Sequence, residues 1–249
     1  MDVITLMMLG CAVFGASCLQ SATGIGYGVI AGPIFLVTLD GVEAFQISTI
    51  HNFAIALILL PSIWRQWNHV MLRALILGSS FGILVGFYLQ ASVNVLFLKI
   101  AATLMLGFVL GALIRDIRSK SRGCKTCKIP QIEIISIGGL TGIMGGMLAM
   151  PGPLAATWMS IRGVSKKEVR ATILAFFIFS YGVNIFLYAG AMGFSIGIVG
   201  LSLWMLGPLV AGVITGKKLG AILSEDAFRY MLLIVLVLTM FVLCADWVY

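Results

Sequence analysis

Thr23-Gly24-Ile25-Gly26-Tyr27-Gly28-Val29-Ile30-Ala31-Gly32-Pro33 puts four glycines and a proline into eleven residues, directly after an apolar run from Val3 to Leu19. Glycine admits backbone geometries closed to other residues, and a proline suits the first turn of a helix, where no N–H partner is needed. The stretch therefore reads as a helix that breaks and restarts. A second stretch, Thr141-Gly142-Ile143-Met144-Gly145-Gly146-Met147-Leu148-Ala149-Met150-Pro151, lies over the first without gaps and is identical at six of the eleven positions. Such a match, placed equivalently in two halves of a chain, is the mark of an internal repeat.

The rest of the sequence sets these breaks in a bilayer. Of 249 residues, 61% are hydrophobic and 10% charged, and the mean hydropathy is +1.11, far from a soluble domain. Ten hydrophobic elements can be marked out. In the first half they are Val3 to Leu19, the Gly-rich stretch with a short run to Leu39, Phe45 to Trp64, Met71 to Gln90 and Val95 to Ile114. In the second they are Ile132 to Thr141, the Gly-rich stretch with a run to Ile161, Ala171 to Tyr188, Ile196 to Thr215 and Phe228 to Cys244. The expected organisation is residues 1–115 as a first repeat, 116–130 as a basic linker and 131–249 as a second repeat. The run at Val3 lacks the positive n-region and cleavage site of a secretory signal and is expected to be retained.

Charge gives the topology. The net charge of +7 could point to nucleic acid, but the bases sit in short loops rather than on a water-facing surface, so no nucleic-acid partner is expected. Fifteen of the sixteen bases fall at Arg65 and Arg73, in the linker from Arg115 to Lys128, at Arg162 to Arg170, and at Lys217, Lys218 and Arg229, leaving only Lys99. With all fifteen on the cytoplasmic side, the three helices after each Gly-rich element run in opposite senses in the two halves. The base-free connections at Ala91 to Asn94 and Ala189 to Ser195, with Asp40 and Glu43, then face outward. The sequence thus predicts an all-α membrane protein built as an inverted-topology repeat, each unit a broken or re-entrant element plus three transmembrane helices, with its basic loops cytoplasmic.

A restarted helix presents free N–H groups and the positive end of its dipole, which attract an anion. In an inverted repeat the two restarts approach the midplane from opposite sides, so Gly24, Gly26, Tyr27 and Gly28 of one half and Thr141, Gly142, Gly145 and Gly146 of the other are candidates to hold one small anion between them. The competing reading is close helix packing through small residues, which suits Gly78, Gly82 and Gly86, and Gly107 with Gly111. Gln20, Ser21 and Thr23 end the first helix with donors that either reach the anion or satisfy carbonyls freed by the break.

His51 and Asn52 lie well inside their helix, where an ionisable or amide group is costly unless it faces a cavity or a partner. His51 is the candidate titrating and proton-coupling group; a structural histidine bonded to a carbonyl is the alternative. Asn184, with Ser180 and Tyr181, lies on the corresponding helix of the second half, and Tyr181 and Asn184 either touch substrate or link helices. No Asp or Glu falls deep in any predicted span, which leaves little for a sodium site or carboxylate relay.

The breaks, and the polar starts Ser48-Thr49 and Ala171-Thr172 of the helices that follow them, resemble the sulfite exporter TauE/SafE family, also called the toluene sulfonate uptake permease family. The resemblance spans the chain. It implies a secondary transporter, an exporter, of small sulfur-containing or organic anions such as sulfite, sulfonates and sulfoacetate, and no enzyme. This copy departs from the family's run of adjacent glycines, since Tyr27 stands in the first break and Met144 and Met147 flank Gly145-Gly146, which points to a substrate bulkier or less polar than sulfite.

Two other classes compete. A channel shares the repeat but needs no alternating gates. A membrane thiol oxidoreductase would use Cys124 and Cys127, but a lone CxxC among lysines is half a metal site, and the charge rule puts it in the cytoplasm. No metal or cofactor is expected. Small-residue helix faces suggest a homodimer.

Overall fold

The computed structural model describes residues 2–39, 41–118 and 129–222, together with Ile234, Val237 and Phe241. Asp40, Cys124 and Cys127, and most of the linker and of the apolar run ending at Cys244, lie outside the described residues. Nine helices follow one another within them: α1 (Val3–Thr23), α2 (Tyr27–Thr38), α3 (Gly41–Ile63), α4 (His69–Ser92), α5 (Val95–Arg118), α6 (Gln131–Leu148), α7 (Gly152–Ile161), α8 (Lys166–Ala191) and α9 (Ile196–Ile222). There is no strand among the described residues. Helices α1, α3, α4, α6, α8 and α9 are long and apolar enough to cross a membrane. The protein is an all-helical, multi-pass membrane protein. Its outer surface agrees, with Phe186 83% and Ile196 92% exposed, side chains that only lipid would cover well.

Local sequence sets the helix ends. Asn68 caps α4 by accepting from the Met71 N–H at 3.0 Å, and Ser165 caps α8 by accepting from the Glu168 N–H, in the Ser-x-x-Glu pattern that satisfies first-turn donors. α1 stops because Gly24 takes a left-handed conformation, φ 91°, with its N–H turned back to the Gln20 carbonyl at 2.7 Å; Gly26 follows at φ 129°. α6 stops at Ala149, a non-glycine residue at φ 52°, and Pro151 and Pro153 then open α7.

Each Gly-rich element is therefore a long helix followed by a short one, of 12 residues in α2 and 10 in α7. The two breaks do not occupy the positions that the ungapped match aligns. The first falls at residues 24–26, whereas Gly142 to Met144 are helical and the second break comes at 149–151. Pro33 accordingly lies inside α2 and not in its first turn. The reason is local: two positive-φ glycines have already ended the first helix before Pro33, while in the second half Gly142, Gly145 and Gly146 keep helical dihedrals and only Ala149 departs.

Two glycine seams hold the bundle. Gly78, Gly82 and Gly86 of α4 lie directly on the backbone of α6, where an added Cβ would strike the carbonyls of Ile135, Gly139 and Ile143. From the other side, a Cβ on Gly142 would meet the Ser79 carbonyl at 2.6 Å, and one on Gly146 the Phe87 nitrogen at 2.7 Å. In the same way Gly212, Gly216 and Gly220 of α9 lie on α1 between Phe14 and Ala22, where the Ser21 hydroxyl donates to the Val213 carbonyl at 2.9 Å. Backbones this close gain dispersion contacts and leave no room for lipid. Between the seams α8 packs against α3 and α4, and the interior so enclosed is polar: Gln20, His51, Asn52, Thr141, Ser180 and Asn184 are all buried.

Candidate substrate site

The two breaks meet. A Cβ on Gly28, in the first turn of α2, would lie 3.1 Å from the Ala149 carbonyl oxygen and 3.1 Å from Met150, and one on Gly152, at the start of α7, would lie 3.0 Å from Ile25. At Gly28 the opposite break leaves only tight room for a Cβ, and at Gly152 the Phe177 ring, 2.5 Å from an added Cβ, leaves still less. Between them is a small cavity lined by Gln20, Gly26, Gly28, Val29, Met150, Gly152, Pro153, Phe177 and Tyr181.

The donors in this cavity come from a chain of contacts. Gln20, a lining residue, is held by its Oε1, which accepts from the Tyr27 N–H at 3.0 Å; its Nε2 is buried and has no hydrogen-bond partner. A buried amide donor left unpaired costs of order 1–3 kcal/mol, so its persistence calls for an acceptor. The N–H groups of Gly28 and Val29, in the first turn of α2, have no intrahelical acceptor by helix geometry and lie on the same wall. Among the described residues no charged side chain lines the cavity.

Helix α8 neutralises the opposite poles. The long arms α1 and α6 end here with the carbonyl, negative ends of their dipoles, and α8 side chains cover these carbonyls. Arg170 Nη2 donates to the Ser21 carbonyl at 2.7 Å, the Tyr181 hydroxyl to the Ala149 carbonyl at 3.1 Å and Asn184 Nδ2 to the Gly145 carbonyl at 3.2 Å. Apart from the Tyr27 N–H, which Gln20 accepts, the positive, N–H end of each short arm carries no side-chain cap from its N-cap residue. The arrangement favours an anion without a single fixed positive charge in the cavity.

The expected site residues divide accordingly. Gln20, Gly26, Gly28 and Tyr181 line the cavity; Gly24 and Tyr27 flank it at the first break, and Asn184 donates to the Gly145 carbonyl beside the second, but none of these four is in the lining. Thr23 is spent on its own turn, its hydroxyl accepting from the Ile25 N–H at 2.9 Å and donating to the Ile25 carbonyl. Ser21 bonds α9. Gly142 and Gly146 face α4 in the seam and not the break. Thr141 is buried with its hydroxyl unpartnered. Asn52 Nδ2 donates to the Ser48 carbonyl at 2.9 Å, within its own helix, and its Oδ1 is unpartnered.

His51 lies one layer behind the cavity. Its Nδ1 is 2.6 Å from the Tyr27 hydroxyl and its Nε2 is 3.3 Å from the Ser202 carbonyl. Sequence reasoning did not single out Met150, Gly152, Pro153, Phe177 or Arg170. Pro151, expected from the sequence to restart a helix, does stand at the start of α7, and Phe177, one turn before Tyr181 on α8, lies in an edge contact with it at 5.2 Å between centroids.

No curated protein and no solved structure matches the chain. The family model described as Sulfite exporter TauE/SafE matches residues 9–243, which takes in both breaks and every residue of the cavity. A membrane bundle whose centre is two apposed helix breaks, and a match that runs nearly from end to end, lead to one conclusion: the chain belongs to the sulfite exporter TauE/SafE family of membrane transporters.

Proposed function

We propose that the protein is a secondary carrier of a small sulfur-containing anion, of the sulfite, sulfonate or sulfoacetate class, held between the N-terminal ends of α2 and α7 and moved outward across a bacterial inner membrane. The observation that carries this reading is Gln20 Nε2, a buried donor without a partner set beside the free N–H groups of the α2 first turn. A sulfur oxyanion supplies several strong acceptors in a compact volume, which is what such a cluster lacks. Met150, Phe177 and Val29 on the other walls suit a short organic substituent, as in a sulfonate.

The reading includes an inverted repeat. α4 packs on α6 and α9 on α1, each the fourth helix of one half against the first of the other, and a two-fold relation between oppositely oriented halves requires this reciprocal pattern. The short arms add support: at 1.5 Å per residue they span about 18 and 15 Å, close to half of an apolar core of about 30 Å. Both breaks then fall near the midplane, where alternating-access carriers bind substrate. With the basic loops cytoplasmic, α7 opens toward the cytoplasm and α2 toward the outside.

The cavity is no larger than a single water needs, so an anion enters only when one short arm moves away from the other. The test is uptake of labelled sulfite, sulfoacetate and related sulfonates into proteoliposomes, with and without a pH gradient. Saturable, counter-transported flux of one anion whose half-saturation concentration Gln20→Leu raises is the expected result; non-saturating flux would make the protein a channel, and no flux of any of them would end the reading.

A further inference from the structure

We infer that Arg170 forms a second anion subsite at the mouth of the α1–α2 break, where a small sulfur oxyanion is held on its way to or from Gln20; the inference rests on the transport reading above. Arg170 lies in the first turns of α8, a half-buried cation beside a break. The chain is shaped around it: a Cβ on Gly24 would lie 2.7 Å from the Arg170 Cγ and 3.3 Å from its Cα, so the side chain crosses directly over the left-handed glycine that ends α1.

Capping the Ser21 carbonyl uses only Nη2 of the guanidinium. Its Nε–H is buried and has no acceptor. Glu133 is paired with Arg162, and among the described residues no carboxylate pairs with Arg170; Glu168, two residues away, is taken by Asn68 Nδ2 at 2.6 Å. A charge held in a membrane protein without a counter-ion is costly, and a neutral donor would cap one carbonyl as well. The unused N–H and the unpaired charge both call for an anion.

Position along the helix makes the subsite part of a path. Phe177 and Tyr181 follow Arg170 at intervals of seven and eleven residues, which puts all three on one stripe of α8, and the later two line the central cavity. A fork of guanidinium N–H groups matches two oxygens of a sulfite or sulfonate. The central site lacks any such charge, so Arg170 draws the anion to the break, and the neutral donors of Gln20 and α2 hold it loosely enough to leave again.

Arg170→Gln keeps a donor for the Ser21 carbonyl and removes the charge, which separates recruitment from capping. In proteoliposomes of the full-length protein, labelled sulfite is the probe, with the half-saturation concentration and maximal flux measured at low and high salt. The expected result is a half-saturation concentration raised about tenfold or more with maximal flux little changed, and loss of the salt dependence that wild type shows through screening of an accessible charge. An unchanged half-saturation concentration, or a fall in maximal flux and thermal stability together, would show a cap and nothing more.

If Arg170→Gln does not fold, Arg170→Lys decides, since it keeps the charge and loses the fork: a half-saturation concentration raised about threefold or more supports the subsite, and an unaltered one overturns it. If wild type carries none of these anions, the transport reading falls by itself. Arg170 is then judged by sulfite binding to the purified protein: a rise in Tm in wild type that is absent in Arg170→Gln supports the subsite, and no rise, or an equal rise in both, overturns it.

Discussion

The Tyr27 hydroxyl lies 2.6 Å from His51 Nδ1, and this contact joins the wall of the cavity to α9 through the far side of the imidazole. The Ser202 carbonyl, 3.3 Å from Nε2, can only accept, so Nε2 carries the proton, Nδ1 accepts and the tyrosine donates. Tyr27 is thus tied at both ends, by its N–H to Gln20 and by its hydroxyl to His51. A proton added to Nδ1 would leave Tyr27 without its acceptor and loosen the N-terminus of α2.

If His51 is the proton-coupling group of the proposed carrier, His51→Ala is expected to lower maximal anion flux about tenfold and to remove its dependence on pH. Tyr27→Phe breaks the same link while leaving the imidazole free to titrate, and the pH dependence should be weakened and not abolished. Flux measured from pH 5 to 8 in proteoliposomes checks both, and a His51→Ala profile parallel to wild type would remove His51 from the coupling.

In the proposed site, Gln20 should set affinity. Gln20→Leu removes both the free Nε2 donor and the acceptor for the Tyr27 N–H, and a hydrogen bond to a charged ligand is worth about 1.5–3 kcal/mol. The half-saturation concentration for the transported anion should rise roughly ten- to hundredfold. Gln20→Glu should be worse still, since its carboxylate repels the anion, and a Gln20→Glu protein with wild-type affinity would exclude the site.

Gly28 and Gly146 should behave differently although both stand in Gly-rich stretches. A Cβ at Gly28 meets Met150, a flexible side chain, and the Ala149 carbonyl at 3.1 Å, so Gly28→Ala should fold and narrow the cavity, raising the half-saturation concentration several-fold. Gly146 lies against the backbone of α4, which cannot yield, so Gly146→Leu should lose folded protein altogether by overpacking. Size-exclusion profiles in detergent, beside flux, distinguish the two.

That pair of glycines also marks how far the sequence could be read. Hydropathy and run length gave the six long spans among the described residues, because a membrane helix must be apolar over its whole length, and Thr23 to Gly28 gave the first break, because alternate glycines there take positive φ. The second break was displaced: Gly142 and Gly146 share the residue type and spacing of a break but lie in helical backbone, and only the facing glycines of α4 reveal why. His51, Tyr181 and Asn184 were legible as buried polar groups. Their partners, carbonyls at Ser202, Ala149 and Gly145, were not, since a carbonyl leaves no trace in residue type. Arg170 was hidden among the loop bases, and only its contact with Gly24 sets it apart.

The last prediction concerns the two ends of α8, where hydrogen bonds cross between the halves of the chain. At one end Asn68 binds the Glu168 carboxylate at 2.6 Å, and its N–H donates to the Thr172 hydroxyl at 3.0 Å. Toward the other, the Tyr188 hydroxyl donates to Gln90 at 2.7 Å and Gln46 to the Gly193 carbonyl at 2.9 Å. A carrier must release one set while keeping the other, so the sets should bias access in opposite directions. In Asn68→Ala, a cysteine placed at Val29 should become reactive to an impermeant thiol reagent from the cytoplasmic side, and in Gln90→Leu from the outer side, each about tenfold faster than in the parent, the scale on which loss of one or two such bonds shifts a two-state equilibrium. Labelling of right-side-out and inside-out vesicles reads the direction, and equal rates from both sides in both variants would mean that these bonds only fasten the bundle.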